Sequence, residues 1–545
     1  MSDRPRSHRI IVFALAGLAL AHAWGIMALI SASDPWYRNT DMNVHNMVDA
    51  LAINSGIAPN EMAQPAVPLK FLLALDYRIR HELGLLRVWN MRRLDAAPDP
   101  LREIPQLIRI GRVQSRILVL VLILCAAGLV HAVTRDPDAA ALAVILLAGS
   151  PGLLFQGLLT RPELLCVGFG NVLALWAVWR ATSGRRGHAR QAWLLASGLL
   201  GGLAALEKLP GVCFLALAFA WCCASALLAR DHEADESDPP ALWYAGCLLP
   251  LACGLAILGL LVALAPQHDA LGPVVVARLR LAGAGIALLP FLTLAGGRSR
   301  PARFVQQRIR ELALLGGGAL LALLGGYLAL RTVMPAGAAA TYYASVLHFL
   351  VNPAPYMTTF LADTPAVGRG TLVFFREAPL IVVGSAVAAG AAVALRGTPA
   401  RLKAFIILLV SGAALLTLLM SRRFFADQYS IFPQVPLLIV TALGFHAFSL
   451  RWRARGAAVA PPWPVPLALA IACIVMFSAY FQLQPKYAYY QDDALLPTNE
   501  LTRTFLFDHD AHAPAYRELM QRHYGDRRKF VDHLEHFLAD PAHRR

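Results

Sequence analysis

The sequence predicts an all-α polytopic membrane protein with about 13 transmembrane helices. Of its 545 residues, 57% are hydrophobic and only 15% are charged, whereas soluble domains carry about 25% charged residues. Apolar stretches long enough to cross a bilayer, which takes about 20 residues, recur from end to end and alternate with polar segments. These observations together argue against a soluble globular fold.

The first apolar stretch, 10–31, follows a basic N-terminus and predicts an uncleaved first helix, since it is long enough to span the membrane. Residues 32–113 predict a large polar loop with two or three short amphipathic helices near the membrane surface. A second long loop is expected at 334–375. The remaining predicted spans are 115–134, 139–158, 164–181, 191–206, 211–229, 241–265, 273–296, 311–333, 377–395, 403–420, 431–449 and 464–483.

Basic residues set the predicted orientation, because short cytoplasmic loops are enriched in Lys and Arg. The N-terminus and alternate short loops carry them, at Arg185, Arg186, Arg190, Arg298, Arg300, Arg303, Arg308, Arg310, Arg396, Arg401, Lys403, Arg451, Arg453 and Arg455. We therefore expect a cytoplasmic N-terminus, with both long loops at the outer face. The Ala-, Arg- and Leu-rich composition favours a bacterial inner membrane. A single kinked span around Glu207 would lower the helix count by one.

The chain divides into two predicted parts, a transmembrane module at 1–483 that includes both loops, and a small polar outward-facing tail at 484–545. The net charge of +15 comes from dispersed loop residues and no nucleic-acid-binding motif is present, so a nucleic-acid partner is not expected. All eight cysteines lie in apolar segments, which argues against a disulfide framework.

Charged residues at the predicted outer ends of membrane helices are unexpected, since the positive-inside bias disfavours cations there. Taken singly, each is explained by a long side chain reaching the membrane interface. Taken together, they suit a ligand that carries a phosphate and a reaction that needs a base. They lie in four places, Arg109 and Arg112, Arg161 and Glu163, Glu207 and Lys208, and Arg422 and Arg423.

Two further residues in the predicted outer loops are candidates for chemistry. Asp41 lies about ten residues beyond the first span, where it either caps the helix that begins at Met42 or meets a substrate at the membrane surface. His348 lies in an aromatic, Pro-containing stretch of the second loop, for which a membrane-interface belt is favoured over a metal ligand.

The order and sidedness of these motifs resemble the GT-C superfamily of integral-membrane glycosyltransferases. The sequence is most similar to the branch of glycosyltransferase family 39 with the protein O-mannosyltransferases and the lipid A aminoarabinose transferase. The resemblance covers about residues 10–450, and the tail lies outside it. It rests on Asp41 in NTDMNVHNMVDALAINSG, on QPAVPLKFLLALDYRI, on Arg112 in IGRVQSRILVLV, on Arg161-Pro162-Glu163, on Lys208 in GLLGGLAALEKLPG and on ADQYSIFPQVPLLIV.

The resemblance implies an inverting transfer of a sugar from a polyprenyl-phosphate donor lipid to a hydroxyl of a lipid, glycan or protein acceptor at the outer face. It implies that Asp41 is either the catalytic base or the group that orients the acceptor, and that Glu163 is a second catalytic residue, an acid that would assist a metal ion. The donor phosphate would be held by Lys208, Arg112 and Arg423. The resemblance leaves open whether a divalent metal ion is needed, and the candidate ligands are Asp41, Glu163 and His348. Two positions depart from the family pattern, Met42 and Gln64.

Two other functions fit parts of the pattern. A multi-helix transporter or lipid flippase is favoured by the helix count and by charges in the membrane region. The absence of an evident internal repeat, and polar residues gathered at one face instead of mid-membrane, argue against it. A non-catalytic assembly protein is the third interpretation, and it would be favoured if Asp41 faced lipid or the tail.

Overall fold

The computed structural model describes residues 6–33, 35–37, 40–59, 66–184, 187–208, 210–228, 300–351, 364–420, 429–454 and 514–540, with isolated positions at 277, 280, 281, 284, 506, 507 and 543. Throughout these ranges the regular secondary structure is helical. The predicted all-helical class is therefore confirmed for the described part of the chain.

The described helices fall into an N-terminal group and a C-terminal group. The first group is α1 (Arg6–Ser33), α2 (Thr40–Asn54), α3 (Val67–Glu82), α4 (Met91–Asp95), a 3-10 turn (Pro100–Arg102), α5 (Ile104–Thr134), α6 (Pro137–Ala148), α7 (Pro151–Gln156), α8 (Glu163–Val167), a π segment (Gly168–Ala174), α9 (Leu175–Thr182), α10 (Gly187–Glu207) and α11 (Gly211–Leu228). The second is α12 (Arg300–Val333), α13 (Ala336–Val351), α14 (Thr364–Glu377), α15 (Pro379–Ala394), α16 (Ala400–Met420), α17 (Ile431–Ala454), α18 (Pro514–Tyr524) and α19 (Arg527–Ala539).

Among the described helices, seven are long and apolar enough to cross a membrane, or eight if the bent pair Gly368–Arg376 and Pro379–Ala394 forms one span. A polytopic membrane protein follows from these helices. The predicted spans 241–265 and 464–483 lie outside the described residues, and so does 273–296 apart from the isolated positions given above. The count of 13 therefore stays a prediction, while the other predicted spans each coincide with described helices.

Three predicted spans differ in detail from the structure. The second was expected from 115, but α5 begins at Ile104, because its first three turns are amphipathic and bury Ile104, Leu107 and Ile108. The third is divided between α6 and α7, where the Ser150 hydroxyl accepts a bond from the Leu153 amide and caps the new helix. The fourth contains the π segment, in which Gly170 lies directly against the Phe214 ring.

Close packing of α10 against α12 fixes the end of α10. A Cβ placed at Gly198 would lie 2.0 Å from the Leu315 carbonyl oxygen, and one at Gly202 would lie 2.7 Å from the Ala319 oxygen. Small residues spaced by four let two membrane helices approach this closely. The C-terminal end of α10 carries Glu207, and Lys208 follows it directly, so this contact positions both charges.

The buried apolar residues form two large clusters. One lies among the membrane-spanning helices, and the other joins the first long loop to α13 and to the two tail helices α18 and α19. Tyr342 and Tyr343 of α13 and Tyr516 and Phe530 of the tail are all buried in the second cluster. The first loop, part of the second loop and the tail thus share one core.

Candidate active site

Helix α2 is fastened to the turn between α7 and α8 by two buried hydrogen bonds. The Thr160 amide donates to Asn43 Oδ1 at 2.9 Å, and Asn46 Nδ2 donates to the Thr160 carbonyl at 2.8 Å. These bonds hold the first turns of α2 beside the turn that carries Arg161 and Glu163. The backbone of Asp41 lies in the first turn of α2, and its side chain lies outside the described residues.

A buried ion cluster lies at this turn. Lys208 Nζ contacts Glu163 Oε1 directly, and Arg161 Nη1 lies 4.0 Å from the same oxygen. The Lys208 ammonium also lies 4.6 Å from the centroid of the Tyr429 ring, within reach of a cation–π interaction. All three charged side chains are almost fully buried. One carboxylate is therefore shared by two cations.

Glu207, next to Lys208, faces the first loop. Its carbonyl accepts a hydrogen bond of 3.1 Å from the Ala66 amide, just before α3 begins. Its buried carboxylate lies close to the Leu69 amide and to Lys70, yet neither oxygen makes a hydrogen bond of normal geometry with a described residue. Ala66 has a φ of 44°, a conformation that costs a non-glycine residue energy. Glu207 thus ties the end of α10 to the start of α3.

A second buried ion pair supports the same region from the loop side. Lys70 Nζ lies 2.9 Å from Asp49 Oδ2 and donates to the Tyr342 hydroxyl at 3.5 Å. Burial raises the pKa of Tyr342 to about 12, which keeps this hydroxyl neutral. Neither Lys70 nor Asp49 is among the site residues predicted from the sequence. One sequence feature could have identified this pair, namely a charged residue on the otherwise apolar face of a short helix. Asp49, for example, lies between Val48 and Leu51.

Arg112 is buried on α5, and Nη2 donates to the Pro35 carbonyl at 3.5 Å. Its neighbour Gly111 lies against Thr160, since a Cβ there would be 2.5 Å from Thr160 Oγ1. Arg112 therefore lies beside the same turn as Glu163. Of the other predicted site residues, Arg423 lies outside the described residues. His348 has its backbone in α13 and a side chain outside the description.

The structure thus gathers four predicted features around the start of α2, namely Arg112, Glu163, Lys208 and the backbone of Asp41. Lys208 and Arg161 both face Glu163 Oε1, whereas Oε2 has no hydrogen-bond partner among the described residues, so a metal-ligand role for Glu163 stays a prediction. Within the described ranges, no group of three or more His, Cys, Asp or Glu side chains converges as a metal site would require.

Comparison with known proteins gives structural matches and no sequence matches. No protein-family model and no curated protein sequence matches the chain. The structure is similar to the Archaeoglobus fulgidus oligosaccharyltransferase complex with Zn and sulfate, at 16% identity and a TM-score of 0.40 over 86% of this chain and 53% of that chain. The chain thus spans about half the length of that enzyme.

A further match is ArnT from Cupriavidus metallidurans in the apo state, at 15% identity and a TM-score of 0.24 over 80% of this chain and 78% of that chain.

Proposed function

We propose that this protein is a membrane glycosyltransferase that moves a sugar from a polyprenyl-phosphate-linked donor to a hydroxyl acceptor at the outer face. The observation that carries the proposal is the buried cluster of Arg161, Glu163 and Lys208 beside the start of α2, where Asp41 lies. Cations held at the end of a membrane helix suit the phosphate of a lipid whose tail stays in the bilayer.

The reaction breaks one bond and forms one bond. The acceptor oxygen attacks the anomeric carbon of the sugar, and the bond between that carbon and the phosphate oxygen breaks with inversion. The proton of the acceptor hydroxyl passes to the Asp41 carboxylate, which acts as general base. The bonding electrons leave with the polyprenyl phosphate, so negative charge develops at the phosphate in the transition state.

Cations placed where that charge develops lower the barrier. Lys208 and Arg112 are two of the described cations beside the start of α2, and Arg423 completes the set proposed for the phosphate. Lys208 already contacts Glu163, so its ammonium is held in one orientation before the donor arrives. We assign Glu163 the role of positioning Lys208 in place of the acid role implied by the resemblance. No step in this scheme passes through a metal ion.

A transfer assay tests the proposal. Purified protein in proteoliposomes is given a panel of polyprenyl-phosphate-linked monosaccharides together with bacterial envelope lipid, glycan and protein fractions, and the release of polyprenyl phosphate is measured. Wild-type protein should release it, and Asp41→Asn should lose at least about a hundredfold, the range typical of a general base. The matched control is Asp76→Asn, a half-buried residue of the same loop on α3. Full activity in Asp41→Asn would refute the assignment of the base.

A further inference from the structure

The C-terminal tail has no part in the motifs above, yet its two helices bury their apolar faces in the core of the first loop. Tyr516 and Leu519 of α18 and Phe530 and Leu534 of α19 are at most 1% exposed and belong to the cluster that contains Val48 of α2. Two short amphipathic helices rarely form a stable unit alone. The tail therefore depends on the loop for its core, and the loop uses the tail to complete its own.

Polar contacts fix where the tail sits. Arg522 Nη2 lies 2.9 Å from Asp95 Oδ2 at the end of α4, and the ring of His523 contacts the Asp95 carbonyl at 2.9 Å. The Tyr524 hydroxyl donates to Asp99 Oδ1 at 2.6 Å and accepts from the Leu101 amide at 2.8 Å. Burial and the Asp99 carboxylate raise the pKa of Tyr524, so the hydroxyl stays protonated as a donor.

The Tyr524 contact lies at the entry to α5. Asp99 caps the 3-10 turn that leads into this helix, because its Oδ1 also accepts from the Leu101 amide at 3.2 Å. The same helix carries Arg112. A tail residue therefore holds the start of the helix that presents one of the proposed phosphate-binding cations.

The end of the tail reaches the segment between α1 and α2. The indole Nε1 of Trp36 donates to the His543 carbonyl at 3.0 Å, and Trp36 is only 1% exposed. The residue before it, Pro35, accepts the hydrogen bond from Arg112. This short segment is thus held by the tail on one side and by α5 on the other. It leads within a few residues to Asp41.

We propose that the C-terminal tail is a positioning element of the active site: through Trp36 and through the Tyr524–Asp99 contact it sets the placement of the start of α2 relative to Arg112. This inference rests on the proposed function for its effect on catalysis. It assigns a role to a segment that lies outside the family resemblance. The described tail residues are assigned a positioning role, exerted through their contacts with the first loop.

Hydrogen–deuterium exchange and transfer kinetics on the full-length protein test the inference together. Tyr524→Phe removes both hydrogen bonds of the hydroxyl and keeps the ring, while Trp36→Phe removes the bond to His543. In each variant, exchange in 35–54 should rise about tenfold, the change expected from losing one or two hydrogen bonds. The kcat per folded protein should fall about tenfold, with KM for the donor changed by less than about twofold, because the donor contacts are kept.

The matched control is Arg528→Ala on the exposed side of α19, which should change neither exchange in 35–54 nor kcat. If faster exchange stays confined to 514–540, the tail does not hold the start of α2 and the inference is wrong. It is also wrong if exchange in 35–54 rises while kcat is unchanged. A wild-type protein without transfer activity would refute the proposed function, and the exchange data would still show whether the tail orders this segment.

Discussion

The buried pair of Glu163 and Lys208 gives the sharpest energetic prediction. Replacing Glu163 by Gln leaves two buried cations, Lys208 and Arg161, without their shared carboxylate. Breaking a buried ion pair by removing one partner costs about 3–5 kcal/mol, because the remaining charge is uncompensated. We expect Glu163→Gln to lower the free energy of unfolding by an amount in this range.

The distances agree with that magnitude. Arg161 and Glu163 are 4.0 Å apart, at which the attraction between unit charges is about 4 kcal/mol for an effective dielectric constant of about 20. Lys208 is closer still, and the Glu163 side chain is fully buried. By contrast, Arg80 and Asp76 form a partly exposed pair on α3, and ion pairs near the surface contribute about 0–1 kcal/mol.

A double-mutant cycle isolates the pair. The free energy of unfolding is measured in mixed detergent micelles for Glu163→Gln, Lys208→Met and the double variant. The double variant should cost less than the sum of the single variants by at least about 2 kcal/mol, since each single variant already removes the contact between Glu163 and Lys208. The same cycle with Asp76→Asn and Arg80→Met should give a coupling below about 1 kcal/mol. Additive costs at Glu163 and Lys208 would refute the positioning role.

Three further predictions follow from single contacts. Asn43→Ala leaves the buried Thr160 amide without its acceptor and should cost about 1–3 kcal/mol of stability and lower transfer, as unfolding and the transfer assay would show; unchanged stability would contradict the role of this bond. Gly111→Ala places a Cβ against Thr160 and should lower the melting temperature, whereas the same change at Gly17, which has open space, should not. Folding raises the pKa of Tyr342 from 10.0 to about 12, so its contribution to stability is complete below pH 10 and is lost as the pH rises toward 12. In Tyr342→Phe the melting temperature should no longer fall over this pH range. An unchanged fall would show that another group causes it.

The lengths of the apolar segments predicted most of the described fold, because crossing a bilayer requires a fixed number of apolar residues. Helix interruptions were not predictable in the same way. The π segment depends on Gly170 meeting the Phe214 ring from another helix, and no local pattern encodes that contact. The early start of α5 was missed because its first turns bury residues against the loop core instead of lipid.

For the candidate site, topology predicted which charges share a face, and the structure pairs two of them, Glu163 and Lys208. Their pairing was not predictable, because residues 163 and 208 meet only through the packing of α8 and α10. The Lys70–Asp49 pair was missed since each charge lies on a short amphipathic helix whose partner is set by tertiary contacts. The docking of the tail was not predictable for the same reason: an amphipathic pattern shows which face of a helix is buried, but not which element that face packs against.

The most direct test of the central claim is the identity of the lipid that copurifies with the protein. Mass spectrometry should find a polyprenyl phosphate or its sugar ester in wild-type protein and in Lys403→Ala, a control at the predicted cytoplasmic end of α16. The same lipid should be lost from Lys208→Ala, provided that the variant elutes as a folded species. Equal amounts of this lipid in all three proteins, or only bulk phospholipid in each, would contradict a donor site built on Lys208.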